Sequence, residues 1–171
     1  MRTLVLAAAL VACGPSSSEI KTAKLAEYNT TPVAMLHIAA DAAVAEGYKV
    51  GEVSEERMEL ITAPRFYEKE GGLQSPGADG YTQIRPGSVQ VSFIVRCVVG
   101  DMNHVTVQVV PKTFQAIQGS PKPRELTPDD PNLPPWILGR ADKLQLAIYE
   151  RAKPYAASQP STTSMAPPGG K

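Results

Sequence analysis

The residues able to do covalent or acid–base chemistry are few. Two cysteines, Cys13 and Cys97, and two histidines, His37 and His104, stand in a chain of 171 residues with 17 acidic and 17 basic side chains. Cys97 lies in VQVSFIVRCVV, in register with Val91, Phe93, Val95 and Val99, and so reads as a small buried hydrophobe. A catalytic thiol wants a histidine and a polar setting. Arg96 adjoins Cys97, but neighbouring strand residues face opposite sides. His37 falls within a helical pattern and His104 in a turn. Neither has further His, Cys or acid at metal-ligand spacing. Asp129, Asp130 and Asn132 offer oxygen ligands for Ca²⁺, without the EF-hand spacing or its closing Glu. Glu55 with Glu56, and Glu68 with Glu70, are paired acids in loops, whereas a glycosidase needs its pair across a cleft. No nucleophile elbow, dinucleotide fingerprint or Walker motif is present. The expectation is a non-catalytic protein with no cofactor and no metal.

Cys13 has a different setting, MRTLVLAAALVACGPSSSE. Arg2 supplies a positive charge, and residues 4–12 are an unbroken apolar run. That is the charged start and hydrophobic centre of a secretory signal. The run is about half of the roughly 20 residues that cross a bilayer as a helix, so it does not read as a membrane span.

The four residues Leu10, Val11, Ala12 and Cys13 resemble the lipobox of bacterial lipoproteins. The resemblance implies diacylglycerol transfer to the Cys13 sulfur, cleavage between Ala12 and Cys13, and acylation (palmitate) of the new amino group. Two or more acyl chains, at about 0.8 kcal/mol per buried CH₂, give stable anchoring. In this family Asp after the cysteine signals inner-membrane retention. Gly14 stands there instead, which implies the outer membrane, facing the periplasm. Loss of residues 1–12 removes Arg2 and no acid, leaving 16 basic against 17 acidic side chains. With no basic block, nucleic acid is not an expected partner.

The rest of the chain must position whatever function it has. Residues 13–30 read as lipid anchor and tether, with Leu25 and Tyr28 available to pack. Thr31 and Pro32 look like an N-cap followed by proline at the first helical position. The helix PVAMLHIAADAAVAEG carries Val33, Leu36, Ala40 and Ala43 at helical spacing, widened by Met35, Ala39 and Ala42. Gly47 fits the residue just past its end. YKVGEV and ERMELITA alternate and flank a polar turn, so they read as a hairpin, with Pro64 closing the second strand. Residues 68–88 form a long Gly- and Pro-rich loop. VQVSFIVRCVVG and VTVQVVPK are a second hairpin. Ile94 and Val98, on its other face, hint that this face is covered or meets a partner. Residues 119–135 are a Pro-rich connection. WILGRADKLQLAIYERA then has a stripe of Ile137, Ala141, Leu144, Ile148 and Ala152 and ends at Pro154. The segment 157–171 is low in hydrophobics and reads as disordered.

The expected fold is α+β: a two-layer sandwich with an antiparallel four-stranded sheet and an N-terminal and a C-terminal helix on one face, in the order α-β-β-β-β-α, forming a single domain over 31–156. The Ala-rich helix followed by GYKV…LITAP is similar to the helix-grip-like domains of the C lipoproteins of the β-barrel assembly machinery. That resemblance implies location and architecture, and no site residues. The expected function is a lipid-anchored, non-catalytic envelope lipoprotein that binds another envelope component as a scaffold or assembly accessory. Tyr81, in the polar loop, and Trp136, beside the Pro-rich segment, are candidate contacts, since aromatics are enriched at hot spots. A second reading is a carrier of a small apolar ligand or lipid in a cavity between helices and sheet.

Overall fold

A computed structural model describes residues 15–74 and 84–157. In chain order they form α1 (Ser17–Leu25), β1 (Glu27–Tyr28), α2 (Pro32–Ala45), β2 (Val50–Ser54), β3 (Glu59–Thr62), β4 (Arg65–Tyr67), β5 (Val89–Val99), β6 (Val105–Gln115), β7 (Arg124–Leu126) and α3 (Pro135–Ala152). The class is α+β with an antiparallel sheet, as the pattern predicts, but the sheet has seven strands rather than four. The additions, β1, β4 and β7, are two or three residues long. Such short pieces carry too little alternation to stand out from the loops around them.

The β5–β6 hairpin is the spine, paired from Val89↔Gln115 to Val99↔Val105. Each flank is divided between two short strands. On the β5 side, β3 pairs at Leu60↔Val95 and β4 at Phe66↔Gln90. On the β6 side, β1 pairs at Tyr28↔Val105 and β7 at Thr113↔Leu126. Pro111 sits in the gap between β1 and β7, where no neighbouring strand asks for its missing N–H. The opposite flank breaks at Ala63 and Pro64. There the Phe93 N–H donates to the Thr62 hydroxyl at 2.9 Å. A side chain thus replaces a lost ladder partner inside the core.

All three helices take part in one layer: α2 lies over β3 and β5, α3 over β6, and α1 against α3. Thr31 caps α2, its hydroxyl accepting from the Ala34 N–H. At the far end Gly47, at φ 80°, closes the helix: its N–H and that of Tyr48 donate to the Val44 and Ala43 carbonyls, the paired bonds of a Schellman motif. The buried stripe of α2 is Met35, Leu36, Ala39, Ala42 and Ala43, with Val33 and Ala40 only half-buried. Three alanines at the contact let the helix approach the sheet closely. The α3 stripe is the expected one, Ile137, Ala141, Leu144, Ile148 and Ala152, with Gln145 buried beside it.

Two local expectations change. Residues 17–28, inside the segment read as tether, form α1 and β1. Ser16 and Glu19 make a reciprocal capping box that starts the helix. Ala23 and Tyr28 are buried, whereas Leu25 is 64% exposed. Met58 does not extend β3. It lies in the turn at φ 51°, where its carbonyl accepts from the Cys97 N–H. The expected lipid site Cys13, the cleavage pair Ala12 and Cys13, the contact residue Tyr81, and residues 158–171 of the tail lie outside the described residues.

Candidate binding surface

Alternation along the strands separates two sheet faces. Val89, Val91, Phe93, Val95, Cys97, Val105, Val107 and Leu60 point into the helical layer and are buried. The space between layers is filled: Tyr28, Met35, Leu36, Leu60, Phe93, Val95, Ile137, Leu144 and Ile148 are each at most 1% exposed. Gln145 fastens three elements there. Its Oε1 accepts from the Val109 N–H, and its Nε2 donates to the Ala23 and Val107 carbonyls, all at 3.1 Å.

The other face has no described helix over it. Register places Ile61, Ile94 and Val110 in one row across β3, β5 and β6, and Phe66, Gln90 and Phe114 in another across β4, β5 and β6. All six are only partly buried. Towards the hairpin turn the character changes: Arg96 Nε lies 2.7 Å from Glu59 Oε1, and Arg57 reaches both Glu52 and Glu59. Paired charges cover the hairpin end of the face, and between the two apolar rows stand Ser92 and Lys112, with the Lys112 Nζ 5.7 Å from the Phe114 ring.

At the other end the surface sinks into a cavity of about 330 Å³. Phe66, Gln90 and Phe114 form its floor. Ile84 and Pro86 stand on one side, and residues 116–121 with Pro123 on the other. Among the described residues no ionisable side chain lines it. Ile84 and Ile117 on the rim are 57% and 45% exposed. Three prolines in the walls fix φ and stiffen the rim. Such a recess suits an uncharged apolar group, with Gln90, Gln118 and Ser120 available for hydrogen bonds. It opens on the face away from the helices, not between the layers where a carried ligand was expected.

Trp136 belongs to the helical side. Its indole N–H donates to the Lys69 carbonyl at 2.9 Å, and its ring lies 5.1 Å from that of Tyr67. Arg140 stacks over both rings, at 4.8 Å from Tyr67 and 5.5 Å from Trp136, and donates to the Gly71 carbonyl. Gly71 has φ 93°, and a Cβ there would stand 3.1 Å from the indole. Trp136 therefore pins the start of the 68–88 loop to α3. It does not join the cavity, because Phe66 and Tyr67 are adjacent in β4 and face opposite ways.

The remaining chemistry-bearing residues stand apart. His37 is exposed on α2. His104 Nδ1 lies 3.1 Å from Glu27 Oε2, tying the turn to β1. Burial pushes the Cys97 thiol up to about 12, so it stays protonated near neutrality. Asp130 accepts from the Asn132 backbone and side chain and pairs with Arg124. The Asn132 N–H first, then its side chain and Arg124, hold that carboxyl below the usual range. Glu68 lies 3.6 Å from Arg85. Among the described residues no group of three or more His, Cys, Asp or Glu is placed to hold a metal ion.

Sequence reasoning missed the cavity and Gln145. The cavity is assembled from three separated segments, and its only linear signal is the clustering of Pro and Gly at 84–88 and 119–123. Among the described residues no helix is long and apolar enough to cross a membrane. No protein-family model matches the chain, and no curated protein sequence is significantly similar to it.

Proposed function

We propose that this is a non-catalytic lipoprotein of the bacterial envelope, anchored through lipid on Cys13 at the periplasmic face of the outer membrane. Its uncovered sheet face binds a protein component of that envelope. The observation that carries the docking half is the cavity over Phe66, Gln90 and Phe114, on the same sheet face as the apolar row of Ile61, Ile94 and Val110 and separated from it by Ser92 and Lys112. A filled core lies behind it. Burying an apolar side chain in such a recess contributes about 1.5–3 kcal/mol. The anchor rests on the sequence around Cys13.

Purification from detergent-solubilised envelope after palmitate labelling tests both halves. The wild-type chain is expected to carry label and a stoichiometric protein. Cys13→Ala loses the label and remains an unprocessed precursor. Phe114→Glu keeps the label and loses the protein. A labelled Cys13→Ala chain contradicts the anchor, and a Phe114→Glu chain that retains its partner contradicts the docking face.

A further inference from the structure

We propose that Arg65, Arg140 and the hydroxyls of Tyr48 and Tyr67 form a binding site for a phosphate group, beside β4 and the first turns of α3. Tyr67 is 1% exposed, and among the described residues its hydroxyl has no hydrogen-bond partner. Two guanidinium groups stack on the neighbouring phenol rings. Arg140 lies 4.8 Å from the Tyr67 ring, and Arg65 lies 5.0 Å from the Tyr48 ring. Each is held by one backbone carbonyl, Gly71 for Arg140 and Gly47 for Arg65. A guanidinium has five N–H donors, so each keeps several to offer.

Among the described residues neither arginine has a carboxylate within ion-pair distance. Two of the neighbouring acids are engaged elsewhere: Glu46 with Lys143 at 2.7 Å and Glu68 with Arg85 at 3.6 Å. Tyr48 joins the two cations, since both Arg140 and Arg65 act on its phenol. Burial, with Tyr67 next, raises that phenol above its ordinary value while the two arginines pull it down, so it is a neutral donor at pH 7. The cluster thus presents two fixed cations and two phenolic donors with no anion of its own. A phosphate dianion balances that charge and supplies several acceptor oxygens in a non-planar array. Stacking on Tyr48, Tyr67 and Trp136 holds the guanidiniums in place beforehand, which lowers the ordering cost of binding.

Trp136 is the single tryptophan of the chain and touches Arg140, so its fluorescence reports the site. Purified protein is titrated with inorganic phosphate at constant ionic strength, with sodium chloride and acetate as controls. In a separate arm, vesicles of phosphatidylglycerol are compared with phosphatidylcholine. A saturable change with phosphate, or with the anionic vesicles alone, is expected, and the two arms separate a soluble phosphate from a lipid headgroup. Tyr67→Phe removes only the orphaned hydroxyl. It is expected to leave the thermal midpoint in place and weaken binding about tenfold, and Arg65→Gln to abolish the response. No saturable change in either arm overturns the proposal. So does saturation by acetate and not phosphate, or a Tyr67→Phe chain that binds as tightly as wild type.

Discussion

Gln145 shows what a single residue does here. Its carboxamide satisfies one N–H and two carbonyls belonging to α1 and β6. Gln145→Leu fills the same space and leaves those three groups without it. The expected loss is at least about 2 kcal/mol, read as a lower urea midpoint; an unchanged midpoint contradicts the role. Sequence reading passes over this residue because it adjoins the apolar stripe without belonging to it. Cys97 was legible, because a two-residue period carries it into the core. Tyr28 and Cys97 also set an alkaline limit. Burial raises both groups to about 12, from ordinary values of 10.0 and 9.0. The folded state therefore holds their protons more tightly than the unfolded state. That contribution is fully present below the ordinary values and is lost as pH rises towards 12. Stability is expected to fall from about pH 9 upward, and Tyr28→Phe to flatten part of the fall. Because the Tyr28 hydroxyl is buried without a partner, that variant is expected to match or exceed wild-type stability at pH 7.

At the scale of elements, periodicity and caps made α2, α3 and the β5–β6 hairpin readable. Thr31, Pro32 and Gly47 do in the fold what their residue types predict. What stayed hidden is short or capped by serines. The Ser16 and Glu19 pair was a capping-box signature within a stretch that composition alone marks as linker. β4 and β7 exist because β5 and β6 outrun their neighbours and leave backbone groups that only brief strands can meet. The loop after β4 depends on one glycine. Gly71→Ala adds a Cβ against the Trp136 ring and forces φ 93° on a residue with a side chain. A cost of about 1–3 kcal/mol is expected, with Trp136 emission shifting to the red as the loop lifts from the indole. Emission and stability both unchanged would contradict that contact. Thr62→Val tests the other break in the sheet. The isosteric change orphans the Phe93 N–H and is expected to cost about 1–3 kcal/mol by chemical denaturation.

The whole molecule is a layer of helices on one face of a sheet whose other face is uncovered among the described residues. Its class followed from two hairpins flanked by two amphipathic helices, since one sheet face is enough to bury both stripes. The face that carries the cavity was only hinted at, by Ile94 and Val98, because the cavity exists only once 66, 90 and 114 stand in one row between walls from distant segments. The Cys13 signal, by contrast, is wholly linear. The proposed docking face is the one that no described helix covers. A photo-activatable residue placed at Ile94 or Phe114, with His37 on the exposed side of α2 as control, tests it in intact cells. Cross-linking of one envelope protein from 94 and 114 and none from 37 is the predicted result. Cross-linking from 37 alone, or from none of the three, would contradict it.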